Sequence, residues 1–149
     1  MGDKENPDML KAKDMMSKDI VSVKRTTSVL EALEIIVENN ITDLPVIRGD
    51  ASSSLIGIVC EKDFLNLLYG VHNLESEKVD SIMTTNPDCI DEDASVREVC
   101  DCMRSNVFRR IPVVSKGRLV GIISRRDIVS FMWNRLKRVG DLESFLEQE

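Results

Sequence analysis

The apolar residues of this chain form short runs separated by polar residues, and the same order of runs occurs twice along the chain. Two runs rich in β-branched residues, Ile111–Val114 and Leu119–Ile123, flank a short polar turn, which predicts a β-hairpin. An earlier pair of runs, Leu44–Ile47 and Leu55–Cys60, predicts a second hairpin, whose turn we place at Gly49–Ser54. The chain is therefore expected to contain two copies of one strand–turn–strand unit.

A helix is predicted ahead of each hairpin. Ser28 with Glu31 three residues later is a capping-box pattern, and Ser95 with Glu98 is another. The apolar residues that follow recur at helical spacing and predict one buried stripe in each helix. The stripes are Val29, Ala32, Leu33, Ile36 and Val37 in the first helix, and Val96, Val99, Cys100 and Met103 in the second. We expect the first helix to end at Asn39–Asn40.

Further elements complete each copy: a short opening helix, a strand and a closing helix. They are predicted at Met9–Met16, Ile20–Val23 and Asp63–Tyr69 in the first copy, and at Val79–Met83, Asn86–Ile90 and Ile128–Val139 in the second. Gly70 and Gly140 are expected to end the closing helices, and a last amphipathic turn is predicted around Leu142, Phe145 and Leu146. This ordered set, present twice, indicates an internal repeat. One unit of about sixty residues is too small to close a core alone, so we expect the two to pack together.

The bulk composition excludes several classes of function. The chain has 149 residues, of which 42% are hydrophobic and 31% charged, with a net charge of −6. A negative charge argues against non-specific nucleic-acid binding, which needs a basic surface. No apolar run approaches the roughly 18 residues of a membrane span, and the polar N-terminus lacks the apolar core of a signal peptide. We therefore expect a cytoplasmic protein with no membrane or nucleic-acid partner.

The chemistry-bearing residues do not form a catalytic or metal-binding pattern. The four cysteines have no disulfide-framework spacing. Cys100 and Cys102 with the single His72 give too few ligands for zinc, and we expect His72 to stand alone. No P-loop and no nucleophile–base arrangement is visible. We expect a protein that is not an enzyme and that needs neither a metal nor a cofactor.

Each hairpin ends in a short polar motif at the start of its closing helix. In the second copy, Ser124 and Asp127 deliver a hydroxyl and a carboxylate to one end of a sheet. One ionised carboxylate can accept hydrogen bonds from two hydroxyl groups. The alternative is that the Asp caps the helix, and one Asp could do both. The first copy has Cys60 and Asp63 at these positions, and a thiol is the weaker hydrogen-bond donor.

The two copies differ in charge. Between Arg104 and Arg126 there are seven basic residues and no acidic one, whereas Val37–Lys62 has two basic and four acidic residues. A phosphate would therefore prefer the second copy. The phosphate candidates flank the strand ends: Arg109, Arg110, Arg125 and Arg126. A solvated basic face is the alternative interpretation of this cluster.

The ordered motifs of the second copy resemble a cystathionine-β-synthase (CBS) domain. They are Ile82–Pro87, Asp93–Glu98, Ile111–Val114 and Gly117–Ile128. The first copy resembles a second, more divergent CBS domain, so that residues 10–133 resemble a tandem CBS pair, or Bateman module. The resemblance implies an α+β fold of two βαββα repeats, packed sheet to sheet with pseudo-two-fold symmetry. We assign the repeats to residues 10–70 and 77–138, with extensions at 1–9 and 140–149.

The resemblance also implies a function. Such pairs bind adenosine-containing ligands (AMP, ADP, ATP, S-adenosylmethionine or methylthioadenosine) in clefts between the repeats, and they pass a conformational change to a partner. A homodimer and an unknown effector protein are implied as well. Alternatives are a scaffold protein without a nucleotide ligand, or an S-adenosylmethionine or methylthioadenosine sensor.

The resemblance assigns ligand-binding residues to both copies, with the ribose on the Asp and the adenine between apolar side chains. In the second copy, whose cleft is preferred, they are Thr84, Asn86, Pro87, Asp88, Cys89, Arg109, Arg110, Ile111, Pro112, Ser124, Arg125, Arg126 and Asp127. In the first copy, whose cleft is expected to bind more weakly, they are Ser17, Ile20, Val21, Leu44, Pro45, Cys60, Lys62 and Asp63.

Overall fold

The computed structural model describes residues 10–49, 51–105 and 109–143. Helices and strands are interspersed along this part of the chain, so the predicted mixture of α and β structure is confirmed. In order they are α1 (Ala12–Met15), β1 (Val23–Lys24), α2 (Val29–Glu38), β2 (Asp43–Gly49), β3 (Ser52–Cys60), α3 (Glu61–Asn66), β4 (Thr84–Thr85), β5 (Ile90–Asp91), α4 (Val96–Ser105), β6 (Arg110–Ser115), β7 (Arg118–Ser124) and α5 (Arg125–Val139). A 3-10 turn, Val79–Ser81, precedes β4. Among the described helices, none has both the length and the apolar content needed to cross a bilayer.

The chain divides into two compact units that do not follow its linear order. The repeat-1 unit contains Val21–Asp88 and Gly117–Leu119. The repeat-2 unit contains the described residues within 10–20, 89–116 and 120–143. The opening segment of the first repeat, residues 10–20, thus belongs to the repeat-2 unit, and the opening segment of the second repeat, residues 79–88, belongs to the repeat-1 unit.

The repeat-1 unit is built on a small mixed sheet. Strand β1 runs parallel to β2, β2 is antiparallel to β3, and β4 pairs with the other edge of β3. Helix α2 begins at Ser28, whose Oγ accepts a hydrogen bond from the Glu31 N–H at 3.1 Å. The core residues come from the strands, α2, the link between α2 and β2, and the 3-10 turn: Val23, Ala32, Ile36, Ile41, Leu44, Val46, Val59 and Val79.

The repeat-2 unit has the same plan with other segments of the chain. Strand β5 runs parallel to β6, and β6 lies beside β7. Helix α1 joins this unit because the Ala12 N–H donates to the Ala94 carbonyl at 2.9 Å. Two of the core residues, Ala12 and Met15, belong to α1. The full set is Ala12, Met15, Ile90, Ala94, Val96, Val99, Met103, Ile111, Val113, Ile123 and Ile128.

The predicted helix stripes are confirmed at their centres. In α2, Val29, Ala32 and Ile36 are buried, but Val37 is 68% exposed because it lies at the last turn. In α4, the predicted stripe is buried at three positions and Cys100 is half-buried. The predicted stop at Asn39–Asn40 is confirmed, since α2 ends at Glu38.

Two strand predictions are wrong in their bounds. Gly49 and Ser52–Ser54 belong to strands and not to a turn, because Gly49 pairs with Ser52 across the hairpin. The register between β2 and β3 is irregular from Val46 to Gly49, and this irregularity accommodates the extra residues of the first hairpin. Strand β1 covers Val23–Lys24 instead of Ile20–Val23, since its partners on β2 are Val46 and Ile47.

The closing helices begin earlier than predicted, because Cys60 and Ser124 are their N-cap residues. Helix α3 ends at Asn66, and the chain continues to Tyr69 in tighter i to i−3 turns. Helix α5 ends as predicted at Gly140, whose φ of +83° is a left-handed cap.

The opening elements are shorter than predicted. The first helix is confined to α1, and the second is the 3-10 turn. The strand predicted at Asn86–Ile90 is the two-residue β5. Of the predicted amphipathic turn near the C-terminus, Phe145 and Leu146 lie outside the described residues, as do residues 1–9.

Candidate functional site

The end of β7 carries the motif on which the functional prediction depends. Ser124 and Asp127 form a reciprocal capping box at the start of α5. The Ser124 N–H donates to Asp127 Oδ2 at 2.7 Å, and the Asp127 N–H donates to Ser124 Oγ at 3.1 Å. Among the described residues, no hydrogen bond engages Asp127 Oδ1. The helix-capping alternative is thus confirmed, and it leaves one oxygen of a half-buried carboxylate for another donor.

A segment from the N-terminal end of the chain lies across β7 beside this motif. We call Met16–Ile20 the first lead-in segment. The Ser17 N–H donates to the Ile122 carbonyl at 2.9 Å, and the Ile122 N–H donates to the Ser17 carbonyl at 3.0 Å. Ser17 therefore lies next to β7 only two residues before Ser124.

The basic candidates lie around the same strand end. A turn at Lys116 and Gly117, both with positive φ, joins β6 to β7. Such two-residue turns join antiparallel strands, so the start of β6 at Arg110 lies alongside the end of β7. Arg109 and Arg126 are exposed, and Arg110 is half-buried. Arg110 therefore lies on the strand beside the Ser124–Asp127 motif, and Arg125 and Arg126 lie within it.

The equivalent end of β3 has the same backbone arrangement with different side chains. The Cys60 N–H donates to Asp63 Oδ2 at 2.8 Å, as Ser124 does to Asp127. Burial raises the pKa of the Cys60 thiol, which therefore stays neutral at neutral pH. Opposite Cys60 on β2 lies Asp43, which is buried and accepts a hydrogen bond from Thr42 Oγ1 at 3.0 Å.

A second lead-in segment, Met83–Pro87, lies across β3 as the first lies across β7. Thr84 pairs with Ile58 and Thr85 with Gly57. Each lead-in segment thus pairs antiparallel with a strand of the other repeat, β7 or β3, just before the polar motif at the end of that strand.

The structure consequently regroups the predicted site residues. Those in the repeat-2 unit are Ser17, Ile20, Cys89, Arg109, Arg110, Ile111, Pro112, Ser124, Arg125, Arg126 and Asp127. Those in the repeat-1 unit are Val21, Leu44, Pro45, Cys60, Lys62, Asp63, Thr84, Asn86, Pro87 and Asp88. Ser17 and Ile20 therefore join the motif of the second copy, and Thr84–Asp88 join that of the first.

Two features of these strand ends escaped the sequence analysis. The exchange of lead-in segments leaves no sequence signal, because each segment aligns with the repeat that follows it. The position of Asp43 opposite Cys60 could have been found, since an antiparallel hairpin pairs the first residue of one strand with the last of the other.

An apolar groove of about 510 Å³ lies between α4 and α5 of the repeat-2 unit. It is lined by Cys100, Met103, Arg104, Arg125, Ile128, Val129, Met132 and Leu142. Arg125, one of the phosphate candidates, therefore lies on a helix-to-helix surface. Nearby on α5, Trp133 is 60% exposed, with Lys137 Nζ 5.6 Å from its ring centre.

The described residues contain no group of three or more His, Cys, Asp or Glu side chains placed to hold a metal ion. No disulfide joins the four cysteines, all of which lie in the described part of the chain. The expectation that His72 stands alone is wrong, because its Nδ1 lies 2.9 Å from Glu77 Oε1.

Comparison with known proteins explains the repeated architecture. The family model of the CBS domain matches the chain twice, at residues 12–70 and 79–134. The chain belongs to the CBS domain family. The CBS pair is also 34% identical over 120 residues to the uncharacterized protein YlbB of Bacillus subtilis, covering 80% of each chain. Some other relatives are much longer, and the pair spans 42% of one and 23% of another.

Solved CBS pairs share the fold. The crystal structure of CBSX2 from Arabidopsis thaliana has a TM-score of 0.78 at 28% identity, covering 88% of this chain and 99% of that one. CBSX2 in complex with AMP has a TM-score of 0.72 at 30% identity, covering 86% and 98%. The CBS pair of protein MJ0100, in complex with 5′-methylthioadenosine and S-adenosylmethionine, has a TM-score of 0.69 at 28% identity, covering 85% and 98%.

Proposed function

We propose that this CBS pair is a regulatory module that binds an adenosine-containing ligand at the end of β7. The observation that carries the proposal is the half-buried Asp127, held by the capping box with Ser124 beside the first lead-in segment. The complexes of CBSX2 with AMP and of MJ0100 with S-adenosyl compounds support the ligand class. The chain acts by binding the ligand, and the resulting conformational change alters its interaction with an effector protein.

Asp127 is the proposed ribose-binding residue. Its Oδ2 is already fixed by the Ser124 N–H, so the carboxylate is held in one orientation before a ligand arrives. A ribose presents two neighbouring hydroxyl donors, and hydrogen bonds to a carboxylate contribute about 1.5–3 kcal/mol each. Preorganisation of this kind lowers the entropy that binding must remove.

The basic side chains determine which adenosine compound fits best. Arg109, Arg110 and Arg126 border the strand end, and a guanidinium group binds phosphate through two parallel hydrogen bonds. They favour AMP or a longer nucleotide over methylthioadenosine, which carries no phosphate. S-adenosylmethionine remains the second candidate because a neighbouring CBS pair binds it.

Thermal melting with AMP, ADP, ATP, S-adenosylmethionine, methylthioadenosine and NAD tests the proposal. A ligand at 100 times its Kd stabilises the folded state by about 2.7 kcal/mol. For a chain of this size that corresponds to a rise in Tm of about 5–10 °C. We expect at least one compound of the panel to produce this shift.

Asp127→Asn is the discriminating variant. The amide oxygen can still accept from the Ser124 N–H, so the helix cap is retained while the charge is removed. We expect ligand affinity to fall about tenfold or more, which at least halves the rise in Tm. Asp63→Asn is the matched control and should keep the full shift. A folded wild-type protein that responds to none of the compounds would favour a scaffold without a nucleotide ligand.

We also propose that the module self-associates through its closing helices. Exposed apolar side chains occupy equivalent positions in the two repeats, aligned as Asp63 aligns with Asp127. They are Leu65, Leu68 and Tyr69 in the first repeat, and Val129 and Trp133 in the second, where Met132, the equivalent of Leu68, is half-buried. A surface present in both repeats suits a partner that carries the same pair of surfaces, such as a second copy of this chain. Sedimentation of the wild-type protein beside Tyr69→Asp and Trp133→Asp tests this, and the variants should be monomeric.

A further inference from the structure

One Met side chain from each lead-in segment packs against a buried glycine. A Cβ atom added at Gly121 of β7 would overlap Met16 Sδ and lie 2.7 Å from Met16 Cγ. A Cβ atom added at Gly57 of β3 would overlap Met83 Sδ and lie 2.9 Å from Met83 Cγ. Neither glycine has a positive φ, so glycine is required at these positions for space and not for backbone conformation.

Each of these contacts lies one residue before a backbone pairing. Met16 precedes Ser17, which exchanges two hydrogen bonds with Ile122. Met83 precedes Thr84, which pairs with Ile58. The Met side chain therefore fixes which residue of the lead-in segment meets which residue of the strand. A slip by one residue would turn every following side chain to the opposite face.

We propose that Met16 and Met83 are positioning residues for the two strand-end sites. Each thioether fills the space left by a glycine and so holds its lead-in segment in register beside Ser124–Asp127 or Cys60–Asp63. This inference rests on the proposed function, because the site that Met16 positions is the one proposed to bind the adenosine ligand.

The residue types suit this role. Met is unbranched and adapts to an irregular space, whereas a β-branched side chain would not reach across the strand. Both Met16 and Met83 are half-buried, and Gly57 and Gly121 are buried. Without the contact, two backbone bonds to Ile122 are the hydrogen bonds that hold the first lead-in segment to β7 among the described residues, and ligand binding must then order it.

The test is a pair of matched glycine substitutions. Gly121→Ala displaces Met16 without touching any polar group of the proposed site, and Gly57→Ala displaces Met83, although its Cβ would also lie 3.0 Å from the Thr84 carbonyl oxygen. With AMP and S-adenosylmethionine as probes in titration calorimetry, we expect Gly121→Ala to weaken binding at the β7 site about tenfold. Gly57→Ala should change it less than twofold. Equal losses in both variants would overturn the assignment of Met16 to the β7 site.

The double variant Gly121→Ala/Met16→Ala separates positioning from simple destabilisation. It removes Met16 Sδ and Cγ, the two atoms that the new Cβ would approach most closely, and leaves Cβ at 3.0 Å. The effects of the two changes should therefore not add, and the double variant should bind at least as well as Gly121→Ala. Strictly additive losses would contradict the proposal.

Hydrogen exchange keeps the inference testable even if no compound binds. In the ligand-free protein, the amides of Ser17 and Ile122 should exchange about tenfold faster in Gly121→Ala than in the wild type, while those of Thr84 and Ile58 stay unchanged. If the wild-type protein binds none of the probes but shows this change, the proposed function fails and the positioning role stands. Unchanged exchange in a folded Gly121→Ala protein would refute the positioning role itself.

Discussion

The ends of β3 and β7 share their backbone geometry and differ in the side chains that would meet a ligand. Both strands end in a residue whose N–H donates to an Asp three residues later, at 2.8 Å in the first repeat and 2.7 Å in the second. Both are crossed by a lead-in segment whose Met packs on a glycine. The cap residue is Cys60 in one case and Ser124 in the other, and the strand opposite begins with Asp43 or Arg110.

This comparison indicates that the side chains at a strand end can change while the backbone arrangement stays the same. Capping, register and glycine packing belong to the strand–helix corner of both repeats. The charge at the start of the neighbouring strand is not needed for folding. A buried carboxylate there disfavours a phosphate, whereas a guanidinium group attracts one. We therefore expect the end of β7 to suit an anionic nucleotide better than the end of β3.

The largest expected effect tests whether the buried cores of the two repeats contribute equally to stability. Val46 and Val113 are both fully buried, and each pairs with a residue of a parallel edge strand, Val23 or Ile90. Val46→Ala and Val113→Ala should each lower the free energy of unfolding by about 2–3 kcal/mol, from lost burial and a small cavity. Urea denaturation measures this, and costs that differ by more than about twofold would show that the two scaffolds are not equivalent.

The next effect tests the divergent part. Arg110→Gln removes the charge at the start of β6 and keeps much of the side-chain length. We expect affinity for AMP to fall about tenfold, which is the loss of one charge-assisted hydrogen bond. Affinity for methylthioadenosine should be unchanged, because that compound has no phosphate. Calorimetric titration of both compounds gives the comparison, and a parallel loss for both would rule out phosphate recognition by Arg110.

A smaller effect separates the two caps. Ser124 Oγ accepts a hydrogen bond from the Asp127 N–H at 3.1 Å, so Ser124→Ala should cost about 1 kcal/mol. Cys60 offers only a sulfur atom, which is a weak acceptor, and Cys60→Ala should cost a few tenths of a kcal/mol. Chemical denaturation of both variants measures the difference. A loss in Cys60→Ala as large as that in Ser124→Ala would mean that the thiol caps α3 as well as the hydroxyl caps α5.

The sequence predicted what depends on local pattern and missed what depends on tertiary pairing. The repeat, both hairpins, the Ser28 cap and the Gly140 stop follow from residue spacing and are confirmed. The turn predicted at Gly49–Ser54 was wrong because serines are neutral enough to extend a strand when a partner is available. The exchange of lead-in segments depends on which strand each one meets, and no local propensity encodes that choice.

The smallest expected effect concerns the pH dependence of the first repeat. Burial raises the pKa of the Cys60 thiol, so the folded protein holds this proton more tightly than the unfolded chain does. The stability contributed by the neutral thiol is fully present below the pKa of the unfolded thiol, and it is lost as the pH rises above that value. Cys60→Ser has no such group and should lose less stability than the wild type between about pH 8 and pH 10.

Urea denaturation at both pH values measures this effect, with Cys89→Ser as the matched control because Cys89 is exposed. The control should follow the wild type. The effect is small because Cys60 is only half-buried, and water reaches part of its side chain. If Cys60→Ser and the wild type lose stability equally, the thiol at the end of β3 is as well solvated as an exposed one. The contrast between the two strand ends would then rest on Asp43 and Arg110 alone.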